Sequence, residues 1–127
     1  MEKKECLFCK IANNEIKSLV IARTDNFIAI LDVKPKSNGH TLIIPKQHSD
    51  NIFLMSRDNA TELLIIMNKV KTILEKKLGA TDFYIKSNAG KLAGQEVFHT
   101  HVHLVPVYKK KSKIEDINKT YSKLTSN

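Results

Sequence analysis

Three features of the 127-residue sequence predict an α+β fold, a five-stranded, mainly antiparallel sheet with one long helix and short terminal helices. Short β-branched and apolar runs recur between turn-forming residues. One stretch, residues 57–78, keeps apolar residues at three- and four-residue spacing. In QEVFHTHVHLVPVY, residues 95–108, His99, His101 and His103 fall at alternate positions, the period of a strand with one polar face.

Each element has its own signal. CKIANNEI (9–16) reads as a short helix ending at the asparagine pair. LVIART (19–24) and FIAILD (27–32) flank Asp25-Asn26 and read as an antiparallel hairpin. KPKSNG (34–39) is a loop by composition, and HTLIIP (40–45) a third strand that ends at Pro45, which cannot donate to a ladder. In the long helix, Ala60, Leu63, Leu64, Met67, Val70, Ile73, Leu74 and Leu78 form the expected apolar stripe, with Gly79 as its stop. DFYIKSN (82–88) and VFHTHVHLVPVY (97–108) complete the sheet around a Gly/Ala loop, AGKLAG (89–94). Ile114, Ile117, Tyr121 and Leu124 recur at helical spacing near the end, and Ser112 with Glu115 fits a capping box.

Composition narrows the function classes. Apolar residues make up 42% and charged residues 27% of the chain, the profile of a soluble globular domain. No apolar run approaches the ~18 residues of a membrane span. The opening MEKKECLFCK lacks a signal-peptide core, so a cytoplasmic protein is expected. The net charge of +8 rests on 19 lysines and two arginines, scattered except for YKKKSK (108–113). No nucleic-acid recognition module is discernible, so nucleic acid is not the expected partner. Cys6 and Cys9, the only cysteines, are too close for a useful disulfide and read as a metal-binding or redox pair.

On residues alone, three readings of the histidines compete. A histidine column can hold catalytic zinc, although no carboxylate stands at a spacing that demands a supporting role. A neutral imidazole can instead attack phosphorus while a protonated neighbour serves the leaving group. Ordinary histidines on a solvated face are the third reading, weakened by the threefold alternation.

HTHVHLV (99–105) resembles the motif of the histidine-triad (HIT) superfamily of nucleotide hydrolases and transferases. FCKIANNEI, AILDVKPKSNGHTLIIPKQH and SNAGKLAGQEVFH resemble the matching blocks of its Hint branch, in the same order. The resemblance implies a HIT-like fold, with a HIT domain over residues 1–108 and a basic tail with a short helix over 109–127. It implies that His101 is the nucleophile, that His103 contacts the phosphate and serves the leaving group, and that His99 and His40 complete the catalytic set. Asn88 and Gln95 then lie near the phosphates, with backbone donors from the loop around them. Asp32 binds the ribose, and Leu7, Phe8, Ile11, Ile30 and Val33 line the base pocket.

Related proteins with an N-terminal cysteine pair resemble a structural zinc site, which here implies Cys6, Cys9, His48 and His99 as ligands. The reaction implied is hydrolysis at the α-phosphate of nucleoside 5′-phosphoramidates or related purine nucleotides, through a nucleotidyl-histidine and without a catalytic metal. A homodimer is also implied. Glu96 departs from the Ser or Thr usual beside the phosphate, and Thr100 replaces an apolar residue. Dinucleoside polyphosphate hydrolysis is the near alternative, against which Asn88 counts, since Fhit-like proteins carry Gln there. A nucleotide-binding regulator with incidental hydrolysis is the alternative from another class.

Overall fold

A computed structural model describes residues 6–111 and 113–127. The elements run α1 (Leu7–Ala12), β1 (Val20–Arg23), β2 (Phe27–Leu31), β3 (Thr41–Pro45), α2 (Arg57–Leu78), β4 (Asp82–Lys86), β5 (Val102–Val107) and α3 (Ile117–Thr125). Two 3-10 turns that composition does not predict, Ile52–Leu54 and Lys91–Ala93, occur in the connections. The strands form one antiparallel sheet in the order β1-β2-β3-β5-β4.

Alternation along the strands divides the core between the two faces of the sheet. Phe27, Ala29 and Leu31 of β2, Ile43 of β3, and Val102 and Leu104 of β5 pack with Val70 and Leu74 of α2 and Leu124 of α3. Ile28, Ile30, Leu42 and Ile44 face the other way, toward Phe8, Cys9 and Ile11 of α1. The long helix therefore backs the sheet, and the short N-terminal helix covers part of its front.

Helix α2 has the predicted bounds because both ends are capped. The Ser56 side chain accepts from the Asn59 N–H, and Gly79 closes the helix at φ 69° in the left-handed region. Its buried stripe is Asn59, Leu63, Ile66, Val70 and Leu74, with Met67, Ile73 and Leu78 packed at the margin. Ala60 and Leu64 are exposed, contrary to the stripe read from spacing, because the sheet meets the helix one position round toward Ile66. Burying each of the large aliphatic side chains contributes roughly 1.5–3 kcal/mol.

Four other expectations need correction. Helix α1 starts at Leu7, with Cys6 as its cap, so the cysteine pair lies at its N-terminus rather than before it. Strand β4 stops at Lys86, where Ser87 turns its hydroxyl to the His101 carbonyl (2.7 Å). Strand β5 begins at Val102, so of the three histidines only His103 sits on a strand. The preceding segment is held elsewhere: the Thr100 N–H donates to the Ser49 carbonyl at 2.8 Å, drawing residues 97–101 off the sheet toward the loop after β3. Asp116, whose side chain accepts from the Asn118 N–H, caps α3; the Ser112 of the expected capping box lies outside the described residues.

Candidate active and metal sites

The front of the sheet brings the five histidines into two groups joined through residues 99–103. In the first, Cys6 caps α1, Cys9 lies one turn on, His48 follows β3, and His99 precedes β5. Their donor atoms all lie within 4.8 Å of one another. Nδ1 of His99 is 3.3 Å from both sulfurs and 3.2 Å from Nδ1 of His48. Cys9 Sγ is 3.3 Å from Nδ1 of His48. Ligands on one tetrahedral zinc, with bonds of about 2.0–2.3 Å, stand roughly 3.4–3.7 Å apart, so little rearrangement is needed.

The imidazole protons support the same fit. Nε2 of His99 donates to the Pro45 carbonyl at 2.7 Å, which leaves a lone pair on Nδ1. Nε2 of His48 donates to Asp50 Oδ1 at 3.2 Å, with the same result. Burial lowers the His99 pKa to about 4, keeping the ring neutral. Two lone pairs and two thiols thus converge in a site where Cys6 and His99 are wholly buried. These four residues can hold a metal ion.

The second group contains His101, His103, His40 and Asp32. The His101 Nδ1–H donates to the main-chain carbonyl of His99 (2.8 Å), so the Nε2 lone pair is free for reaction. His40 has the opposite assignment: its Nδ1 accepts the Lys36 backbone N–H at 3.0 Å, and the ring proton is on Nε2. That proton is donated to Nδ1 of His103 at 2.9 Å, which puts the His103 proton on Nε2. Adjacent members of the triad therefore present opposite faces, an acceptor at His101 and a donor at His103.

Desolvation by burial lowers the pKa of both His40 and His103, the latter to about 4, with His101 and His40 adding to the effect on His103. The resting His103 is neutral, which differs from the protonated acid expected from sequence. Asp32 Oδ1 accepts the Lys34 N–H at 2.8 Å, while Oδ2 lies 3.5 Å from His40 Nε2. Asp32, His40 and His103 are also close enough to suggest a metal site. The Lys36 donor argues against one, because a proton already occupies the His40 nitrogen that would have to bind.

A cavity of about 420 Å³ beside this group is lined by Leu7, Phe8, Ile11, Ile30, Val33 and Asp32, every residue expected of the base and ribose pocket. Lys17, Ser18, Leu19, Leu31 and Leu42 complete it. The Phe8 ring meets His101 edge-on at 4.9 Å, linking the cavity to the triad. The loop after β4 is more self-contained than expected. Gln95 is buried and spends its amide on the Gly90 N–H and on the carbonyls of Asp50 and Val97. The amides of Ala93, Gly94 and Gln95 likewise bond within the loop, and Glu96 is exposed. Asn88 is half-buried next to Gly94.

Pattern reading missed Lys36, Pro45, Ser49 and Ser87, because each serves the site through a backbone group or a hydroxyl contact. Only the short P-K-S-N-G-H spacing around His40 hinted at such a turn.

A family model described as the HIT domain matches residues 13–110. An uncharacterized HIT-like protein of Methanocaldococcus jannaschii is 40% identical over 103 residues, 81% of this chain and 79% of its own. An adenosine 5′-monophosphoramidase of Schizosaccharomyces pombe is 35% identical over 101 residues, 80% of this chain and 73% of its own. Among solved structures, a zinc-bound histidine triad family protein of Mycobacterium smegmatis superimposes with a TM-score of 0.85 at 29% identity, covering 97% of this chain and 92% of that one.

Proposed function

This chain belongs to the HIT family, and from that premise we propose that it is a nucleotidyl hydrolase acting at the α-phosphate of nucleoside 5′-phosphoramidates or related purine nucleotides. The observation that carries the reading is the pair of opposed tautomers at His101 and His103. His101 Nε2 attacks phosphorus, and the bond to the leaving nitrogen breaks with its electron pair going to the amine, which takes up a proton. The His103 Nε2–H hydrogen-bonds the reacting group from the other side. An incoming phosphate opposes the burial that keeps His103 neutral and favours its protonated form as the leaving group departs. Water then attacks the nucleotidyl-His101, releasing the nucleoside monophosphate and restoring the imidazole.

The nucleoside lies in the 420 Å³ cavity, with Asp32 at the ribose and Leu7, Phe8, Ile11, Ile30 and Val33 around the base. Asn88 faces the phosphate side, and Gln95 braces the loop. Zinc held by Cys6, Cys9, His48 and His99 is structural: it ties α1 to the segment before β5, and the chemistry needs no metal of its own. The zinc-bound mycobacterial relative supports this reading.

The protein works as a cytoplasmic homodimer. Among the described residues no helix is long and apolar enough to cross a membrane. Among the described residues strand β4 pairs only with β5, and its Tyr84 and Ile85 are 44% and 58% exposed, so its free edge can join a second sheet.

One observation favours dinucleoside polyphosphate as an alternative substrate. A second cavity of about 540 Å³ runs from Val105 and Tyr84 to Lys36, Lys110 and Lys111, a basic surface for an anionic leaving group. Rapid-quench reactions with adenosine 5′-phosphoramidate and with diadenosine tetraphosphate, read by intact-protein mass, test both. An AMP-sized adduct and AMP release, both lost in His101→Ala, are expected. Folded wild type that forms neither adduct nor AMP from either substrate would overturn the assignment and leave a nucleotide-binding regulator.

A further inference from the structure

The chain beyond β5 is fastened to the loop that carries His40. Asn38 is the centre of this attachment. Its Oδ1 accepts the Glu115 N–H at 2.8 Å, its Nδ2 donates to the Lys113 carbonyl at 3.1 Å, and its own carbonyl accepts the Tyr108 hydroxyl at 2.6 Å. One residue earlier, the Ser37 hydroxyl donates to the Pro106 carbonyl at 2.6 Å. One residue later, Gly39 sits at φ 94°, where an added Cβ would stand 2.8 Å from Leu74 Cδ2. The turn is therefore held between the C-terminal segment on one side and α2 on the other.

What this turn presents to the His40 ring is a backbone donor. The Lys36 N–H on His40 Nδ1 is the contact that selects the His40 tautomer, and through it the proton position on His103. Val33, Lys34 and Lys36 are exposed, so little packing steadies this part of the loop directly. Within the loop, the Lys34 N–H to Asp32, the His40 N–H to Ser37 and the Asp32 N–H to His40 add bonds, and the Thr41 hydroxyl donates to the Gly39 carbonyl.

We propose that Asn38 is a positioning residue for the triad: it clips the C-terminal segment to the His40 loop and so keeps the Lys36 N–H on His40 Nδ1. Without the clip, His40 loses the donor that excludes a proton from Nδ1. With the proton on Nδ1, the Nε2 lone pair would face the lone pair of His103 Nδ1, and relief of that repulsion moves the His103 proton off Nε2. The donor facing the phosphate is then lost with no catalytic side chain changed. The kinetic part of this inference rests on the proposed role of His103; the tautomer part does not.

The test measures long-range ¹H–¹⁵N imidazole spectra of ligand-free wild type, Asn38→Ala and Tyr108→Phe, together with kcat and KM for adenosine 5′-phosphoramidate. In Asn38→Ala, His40 is expected to change from one tautomer to an averaged pair. Its kcat should fall about tenfold or more, as small misplacements do. KM should stay within about twofold, because the nucleoside cavity is untouched. Tyr108→Phe removes one clip and should shift both readings the same way by less. A folded Asn38→Ala protein with the wild-type His40 pattern overturns the proposal. If that variant does not fold, wild-type spectra and kcat in Tyr108→Phe overturn it instead. If the wild type proves inactive, the proposed function fails, and the spectra still decide whether Asn38 sets the tautomer.

Discussion

Replacing Cys9 by serine is expected to remove both the proposed zinc and part of the alignment of His101. The substitution is nearly isosteric, but a hydroxyl is a poor zinc ligand at neutral pH, and Cys9 Sγ lies 3.3 Å from both His48 Nδ1 and His99 Nδ1. A metal that binds only the folded chain stabilises it by about 2.7 kcal/mol when its free concentration is 100 times the dissociation constant. For 127 residues, an unfolding entropy of about 2.1 cal/mol/K per residue converts that figure to roughly 10 °C in Tm. Activity should fall as well, because the His99 ring is a proposed ligand while its carbonyl holds the His101 Nδ1–H at 2.8 Å. The assay is metal content by mass spectrometry, with calorimetric melts of wild type and Cys9→Ser at several free-zinc concentrations. Wild type should carry one zinc per chain and melt higher as zinc rises, and the variant should do neither. A wild type purified without chelator that lacks stoichiometric zinc, or whose Tm ignores both zinc and chelator, refutes the reasoning.

Other perturbations address different links. Gly39→Ala puts a side chain at φ 94° and 2.8–2.9 Å from Leu74 and Leu78, so urea titration should show a loss of about 1–3 kcal/mol; unchanged stability would mean that the turn yields easily. The His103 pKa is about 4 when folded against 6.5 for the free group, so the unfolded chain binds the extra proton as pH falls from 6.5 to 4, and this contribution to stability is lost across that window. With the side chain 25% exposed, screening reduces the effect to about 2 kcal/mol at pH 4. Denaturation of His103→Gln should accordingly show that much less acid sensitivity than wild type, and parallel curves for the two proteins would contradict it. If the proposed dimer joins through the free edge of β4, wild type should have a dimer's mass by light scattering and Ile85→Lys, which puts a charge there, a monomer's; a monomeric wild type or a dimeric variant would contradict that interface.

The elements were legible where local rules are strong. Gly79 marked the end of Arg57–Leu78 because a cap acts within one turn, and the structure adds Ser56 as the cap at its start. The strands followed from β-branched runs separated by turn residues, and the family motifs named the side chains that assemble at the front of the sheet. Position 64 of the helix was misplaced because leucines on adjacent faces satisfy the same spacing, and only contact with the sheet distinguishes them. The histidine alternation held in sequence but not in strand geometry, since the pull of Ser49 on Thr100 acts across 51 residues.

Which atom of each imidazole carries its proton is decided by the folded surroundings and not by residue type or spacing. For His48 it depends on the Asp50 carboxylate, and for the others on a proline carbonyl, a histidine carbonyl and a lysine amide, backbone groups that no residue type advertises. Composition and spacing could name His40, His48, His99, His101 and His103 as reactive or ligating groups, because the chemistry of imidazole belongs to the side chain. Their proposed division into metal ligands, a nucleophile and a hydrogen-bond donor rests on local turns, His101 on the His99 carbonyl and the Lys36 amide on His40, and on long-range contacts, His99 with Pro45 and His40 with His103, that exist only once the chain has folded.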